Sequence, residues 1–170
     1  NSIANRVNAD LSNNFGNLMQ RISTFINKNC NQIVENKFEL NKKDQKLLDF
    51  SVEKLNNYHN FMNNQEIDKS LKEVFELLTE TNIYVDNEAP WKLIKTNINR
   101  MNVVLSISIE LIKRCSLMLF PIIPDSCKKV FNLLNIDISK LNFDNVTLLQ
   151  NQSIKIKHSV PIFPRIKIDD

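Results

Sequence analysis

A chain of 170 residues, 42% hydrophobic and 24% charged, has the size and composition of one globular domain with a single substantial core. It contains one glycine. That disfavours β-barrels, phosphate-cradling loops and dinucleotide folds, and leaves long helices joined by polar loops. The formal charge of +3, from 22 basic and 19 acidic residues, is compatible with an RNA partner but too weak to require one.

The first element is predicted as a helix from about Ser2 to Asn27. Val7, Leu11, Leu18, Ile22 and Phe25 recur at intervals of three, four or seven and form one buried stripe. Asn17 and Arg21 stand four apart and project from one side of this helix. A planar guanidinium beside an amide suits the edge of a nucleic-acid base. The competing reading is an ordinary amphipathic helix whose Asn and Arg face water. Gly16 costs about 1 kcal/mol relative to alanine inside a helix, so close approach of another backbone or a ligand is expected there. Arg6 and Asp10 suit an intrahelical ion pair, and Asn8 suits a buried amide joining helices. The chain's 26 asparagines point to a coding bias, so single asparagines carry little weight.

Residues 27–43 are polar and broken, with a short extended piece expected at Phe38 to Leu40. A second helix begins near Asn41, carries Leu47, Leu48, Phe50, Val52, Leu55, Tyr58 and Phe61 on one broad face, and ends at Asn63-Asn64. A third, from about Glu66, places Ile67, Leu71, Val74, Phe75, Leu78 and Ile83 at helical spacing, with Glu73 and Glu76 outward. The short connection makes these two an antiparallel pair. Asn87 is expected to cap the next helix, with Pro90 and the only tryptophan, Trp91, in its first turn. Ile98 to Phe120 is apolar almost all round but carries Glu110, Lys113 and Arg114. It is predicted as the central buried helix of a bundle, not a membrane span. Pro121 and Pro124 end it. Asp125-Ser126 then cap a shorter helix, and the remainder is loop-like apart from an extended piece at Ile154 to Lys157.

Cys30, Cys115 and Cys127 are widely spaced, with only His59 and His158 as further soft ligands. The residues therefore offer no metal site, no disulfide framework and no catalytic constellation, and a reduced, cytoplasmic setting is expected. With Asn at position 1 and neither a signal-like segment nor an apolar run long enough to span a bilayer, the chain reads as a piece of something longer.

Five ordered pieces, Arg6-Val7-Asn8-Ala9-Asp10-Leu11, Gly16-Asn17-Leu18 with Arg21, Ala89-Pro90-Trp91, Leu119-Phe120-Pro121 with Pro124, and Phe163-Pro164-Arg165-Ile166, give the chain a family likeness. It resembles the C-terminal helical anticodon-binding domain of methionyl-tRNA synthetase, a class I aminoacyl-tRNA synthetase. The resemblance implies an all-α antiparallel bundle over residues 1–136. It also implies a tail over 137–170 that packs on the bundle or toward the parent's catalytic domain, with Arg165 docking there. The family joins methionine to tRNA(Met) using ATP, in a catalytic domain whose His-Ile-Gly-His-like and Lys-Met-Ser-Lys-Ser-like motifs are missing from these residues. The fragment is thus expected to bind the anticodon loop and to need no cofactor, with ATP and methionine bound by the parent.

By the same resemblance the anticodon-reading positions are Asn17, Arg21 and Trp91, supported by Pro90 and Asn8. An aromatic ring can take a splayed-out base on its face but cannot tell cytosine from other bases. Donors and acceptors from Arg21 and Asn17 would complete the reading of the first base of a CAU anticodon. Lys92, Lys95 and Arg100 are potential phosphate contacts, with a solvated face as the simpler account. The rival function is an all-helical interaction or scaffold module with no nucleic-acid role.

Overall fold

The computed structural model describes residues 5, 9–35, 38–150 and 152–158, the side chains of 11 and 12 excepted. Arg6, Asn8 and the Phe163 to Ile166 piece with Arg165 lie outside the described residues. A π-helical turn, Leu11–Gly16, runs into α1 (Asn17–Asn29). Then come α2 (Lys42–Asn63), α3 (Ile67–Glu88), α4 (Pro90–Thr96), α5 (Ile98–Leu119) and α6 (Pro124–Leu133). A 3-10 turn, Ile138–Lys140, follows. Two short strands, β1 (Ile33–Val34) and β2 (Ile154–Lys155), pair antiparallel with Ile33 opposite Lys155 and Val34 opposite Ile154.

α5 is the axis of the core. Met101 to Ile112 are buried without interruption, because α1, α2, α3, α4 and α6 all pack against it. A helix enclosed on every side has no polar face to offer, which is why its sequence is apolar almost all round. Its serines are satisfied locally: Ser106, Ser108 and Ser116 each donate to the carbonyl four residues back. The charges near its end are tied down too. Arg114, 2% exposed, donates to Glu110 at 3.1 Å, to the Ser51 hydroxyl at 2.5 Å and to the Thr147 carbonyl at 3.3 Å. It thereby joins α5 to α2 and to the segment after α6.

α2 starts at a reciprocal cap: the Asn41 side chain accepts from the Asp44 N–H, and the Asp44 carboxylate accepts from the Asn41 N–H. Asn64 to Glu66 return the chain into α3, with Gln65 at φ 59°, and the two 22-residue helices run antiparallel as expected.

Four local expectations are corrected. Glu73 is buried, not outward, because Lys54 reaches it at 3.0 Å and Asn57 at 3.1 Å. The extended piece sits at Ile33–Val34, where β2 supplies a partner, and Phe38 to Leu40 has no assigned structure. Asn87 does not cap α4, because α3 continues through Glu88 and Ala89 occupies the cap. Ile123 precedes α6 and Pro124 is its first residue, so Asp125 and Ser126 lie inside the first turn. The Pro121–Pro124 pair separates α5 and α6 as predicted. Among the described residues no helix is long and apolar enough to cross a membrane. Val146 and Ile156, from the segment after α6, are buried in the same core as the helices.

Candidate nucleic-acid interface

The corner between α3 and α4 is a single residue. Ala89 adopts φ 49° and ψ 70°, a left-handed conformation that costs a residue with a Cβ about 1–2 kcal/mol. Pro90 follows at the first helical position, where its missing N–H is no loss and its fixed φ suits the helix. Ala89 and Pro90 are both buried. The next side chain, Trp91, therefore leaves a pinned corner and is 40% exposed, which places it outside the core.

α1 lies across from this corner. The Arg21 guanidinium carbon is 5.3 Å from the Trp91 ring centroid, and its Nη2 donates to Asp86 Oδ1 at 2.5 Å. Both contacts are exposed, and each is worth only about 0–1 kcal/mol. Their consequence is orientation: one edge of the fork is held by Asp86 while its plane stays near the ring. Asn17 is exposed on the same helix about 6 Å further toward its start, with no side-chain hydrogen bond among the described residues.

A cleft of about 530 Å³ opens between α1 and the corner, with Ile22, Phe25, Pro90 and Trp91 as its apolar lining and Gln20, Arg21, Thr24, Lys28 and Asn29 as its polar lining. An apolar floor with a few convergent polar groups is the usual make-up of a ligand site. Arg21, Pro90 and Trp91 thus converge on one cleft. Asn17 does not line it and stands one turn away.

A second network secures the corner from behind. Arg100 donates to Asp44 at 2.6 and 2.9 Å and to Glu88 at 2.8 and 3.1 Å, and the Tyr84 hydroxyl donates to Asp44 at 2.8 Å. Burial pushes the Asp44 carboxyl up. The hydrogen bonds from Arg100, the Asn41 backbone and Tyr84 outweigh it and leave it below the usual carboxylate range. The hydrogen bond to Asp44 raises Arg100 further above its usual value, and burial raises Tyr84. Arg100 is therefore neither a phosphate contact nor a solvated charge. It ties Glu88, next to Ala89, to the start of α2. Lys92 and Lys95 are exposed.

Among the described residues no group of His, Cys, Asp and Glu could hold a metal ion. Burial raises the thiol of Cys30, drives that of Cys115 up and pushes that of Cys127 to about 12, so none is a ready nucleophile. A larger groove of about 930 Å³ between α2 and α3 carries Lys42, Lys43 and Lys46 together with Asp49, Glu53 and Glu80. Its charges are mixed, and nothing in it resembles the ring-and-guanidinium pairing of the smaller cleft.

Sequence reasoning missed Asp86 and Lys28. Lys28 had a signal, since it stands seven residues from Arg21 and so shares its face. Asp86 had none, because its partner is 65 residues away.

Comparison with known proteins places this geometry in context. A family model described as the anticodon binding domain of methionyl tRNA ligase matches residues 34–170. That span includes Trp91 and begins after α1. The methionine–tRNA ligase of Mesorhizobium japonicum is 37% identical over 145 residues, covering 85% of this chain and 28% of the relative. The Brucella suis enzyme of the same name is 33% identical over 165 residues, covering 96% of this chain and 32% of the relative; this alignment takes in α1. Among solved structures, Mycobacterium tuberculosis methionyl-tRNA synthetase in complex with methionyl-adenylate superposes with a TM-score of 0.87 at 26% identity. It covers 96% of this chain and 33% of that one. The chain thus spans about a third of the length of these relatives.

Proposed function

Because this chain belongs to the family of methionyl tRNA ligase anticodon-binding domains, we propose that the cleft between α1 and the α3–α4 corner reads the CAU anticodon of tRNA(Met). The observation that carries this is the placement of Arg21 between an exposed tryptophan ring and Asp86. An unstacked base gains about 1–3 kcal/mol by lying on an aromatic face. Stacking on Trp91 brings the base edge to Arg21, whose donors suit the ring nitrogen and carbonyl of cytosine. The exposed Asn17 carboxamide offers the acceptor for the exocyclic amine. Pro90 holds the ring in place. Asp86 limits how far the guanidinium can swing, so a base with the wrong edge finds it poorly aimed.

The larger protein is proposed to attach methionine to tRNA(Met) with ATP in the cytoplasm. Its ATP and methionine sites belong to a catalytic domain beyond the matched third, and the present residues supply recognition. The bundle of 1–136 is proposed to carry that recognition, with 137–170 as the segment that packs on it or faces the catalytic domain.

Titration of the chain with a CAU anticodon stem-loop, and with one whose first base is changed, tests this reading. Tighter binding of CAU, accompanied by a change in the emission of the single tryptophan, is expected. Equal or absent binding at moderate salt would leave an interaction module without nucleic-acid recognition.

A further inference from the structure

Arg21 and Lys28 are the two cationic side chains lining the cleft, and no carboxylate lines it among the described residues. The charge of Arg21 is already offset, since Asp86 takes one edge of its fork at 2.5 Å. Lys28 is exposed and has no carboxylate partner among the described residues. The uncompensated positive charge of the cleft therefore sits on Lys28. Seven residues is close to two helical turns, so Lys28 shares the face of Arg21 and lies about 10 Å further along α1.

A base lodged at Trp91 brings its own strand with it, and that strand carries one negative charge at each phosphate. An ammonium on a flexible stem suits such a charge: it is a point cation without the planar fork that reads a base edge. We propose that Lys28 is a phosphate-binding residue of the cleft, holding the RNA backbone beside the nucleotide taken by Trp91. This assignment rests on the anticodon reading above and adds affinity that does not depend on base identity.

The test is the salt dependence of binding. The 170-residue chain, Lys28→Gln, Lys28→Arg and the control Lys129→Gln, at an exposed position of α6, are titrated with the CAU stem-loop between about 50 and 200 mM salt. Each phosphate contact to a single strand contributes about 0.7 to the slope of log affinity against log salt. Lys28→Gln is expected to bind several-fold more weakly at the low-salt end, with a slope shallower by about 0.7. Its preference for CAU over the changed loop stays as before. Lys28→Arg keeps the slope, and Lys129→Gln runs parallel to the unsubstituted chain. A Lys28→Gln slope parallel to that of the unsubstituted chain overturns the proposal, and so does a lost CAU preference, which would make Lys28 a base contact. If the unsubstituted chain binds both loops equally, the anticodon reading fails, while the slope still reports the phosphate contact. Failure to bind any RNA overturns both.

Discussion

Asp86 Oδ1, on α3, lies 2.5 Å from Arg21 Nη2, on α1, although the two residues are 65 apart along the chain. With side-chain exposures of 38% and 60%, the pair adds little stability, about 0–1 kcal/mol. Its effect is on aim. Asp86→Asn is expected to leave the denaturation midpoint almost unchanged and to narrow the affinity gap between CAU and first-base-changed stem-loops. Competition binding with the two RNAs checks this. An unchanged gap would make the ion pair incidental to recognition.

Trp91→Ala removes a ring that is 40% exposed, so the fold should survive with its circular dichroism intact. Binding of the CAU stem-loop should weaken by about 1–3 kcal/mol. Arg21→Ala is expected to behave differently: discrimination between anticodons falls more than affinity for an unrelated RNA. If Trp91→Ala melts the domain, the corner needs the ring for packing and the assignment of the cleft fails.

Arg114 offers a contrasting case, a charge that stabilises and touches nothing in the cleft. It is 2% exposed and bonded to Glu110, Ser51 and Thr147. Removing Arg114 leaves Glu110 paired with Lys113 at 2.7 Å, so the loss is that of the charged hydrogen bonds to Ser51 and Thr147, about 1.5–3 kcal/mol. Arg114→Met should lower stability by that order in urea denaturation. RNA affinity of the folded fraction should be unaffected.

The helices were legible in the sequence where one local signal sufficed. α2 and α3 follow from apolar spacing and the Asn63-Asn64 break, α5 from an apolar run with few interruptions, and the Trp91 corner from Pro90. What escaped depends on partners distant in sequence. Glu73 looks like a solvated carboxylate until Lys54 is packed beside it. β1 is two residues long and exists because β2 reaches it from the far end of the chain. Asn87 looked like a cap because nothing local says that Ala89 will take the left-handed turn. At the cleft, Arg21 and Trp91 could be named from the family resemblance, whereas Asp86 required the fold.

The Asp44 network makes stability depend on pH in a predictable sense. The folded-state pKa of Asp44 lies below its ordinary value of 3.8. Its contribution is therefore complete above the unfolded-state pKa and is lost as pH falls through the folded value, in the region below about pH 4. On the alkaline side the direction reverses. Burial raises Tyr84, and burial pushes Tyr58 up to about 12. Their contribution is complete below about pH 10, the unfolded tyrosine value, and declines as pH rises through the folded ones. Tyr84→Phe should flatten part of the alkaline loss while keeping Asp44 bound to Arg100. Asp44→Asn should flatten the acid loss and lower stability at neutral pH, because Arg100 loses a bidentate partner whose side chain is fully buried. Urea denaturation midpoints from about pH 3 to 11, for the unsubstituted chain and both variants, measure these slopes. An Asp44→Asn profile parallel to that of the unsubstituted chain below pH 4 would show that other carboxylates govern acid unfolding.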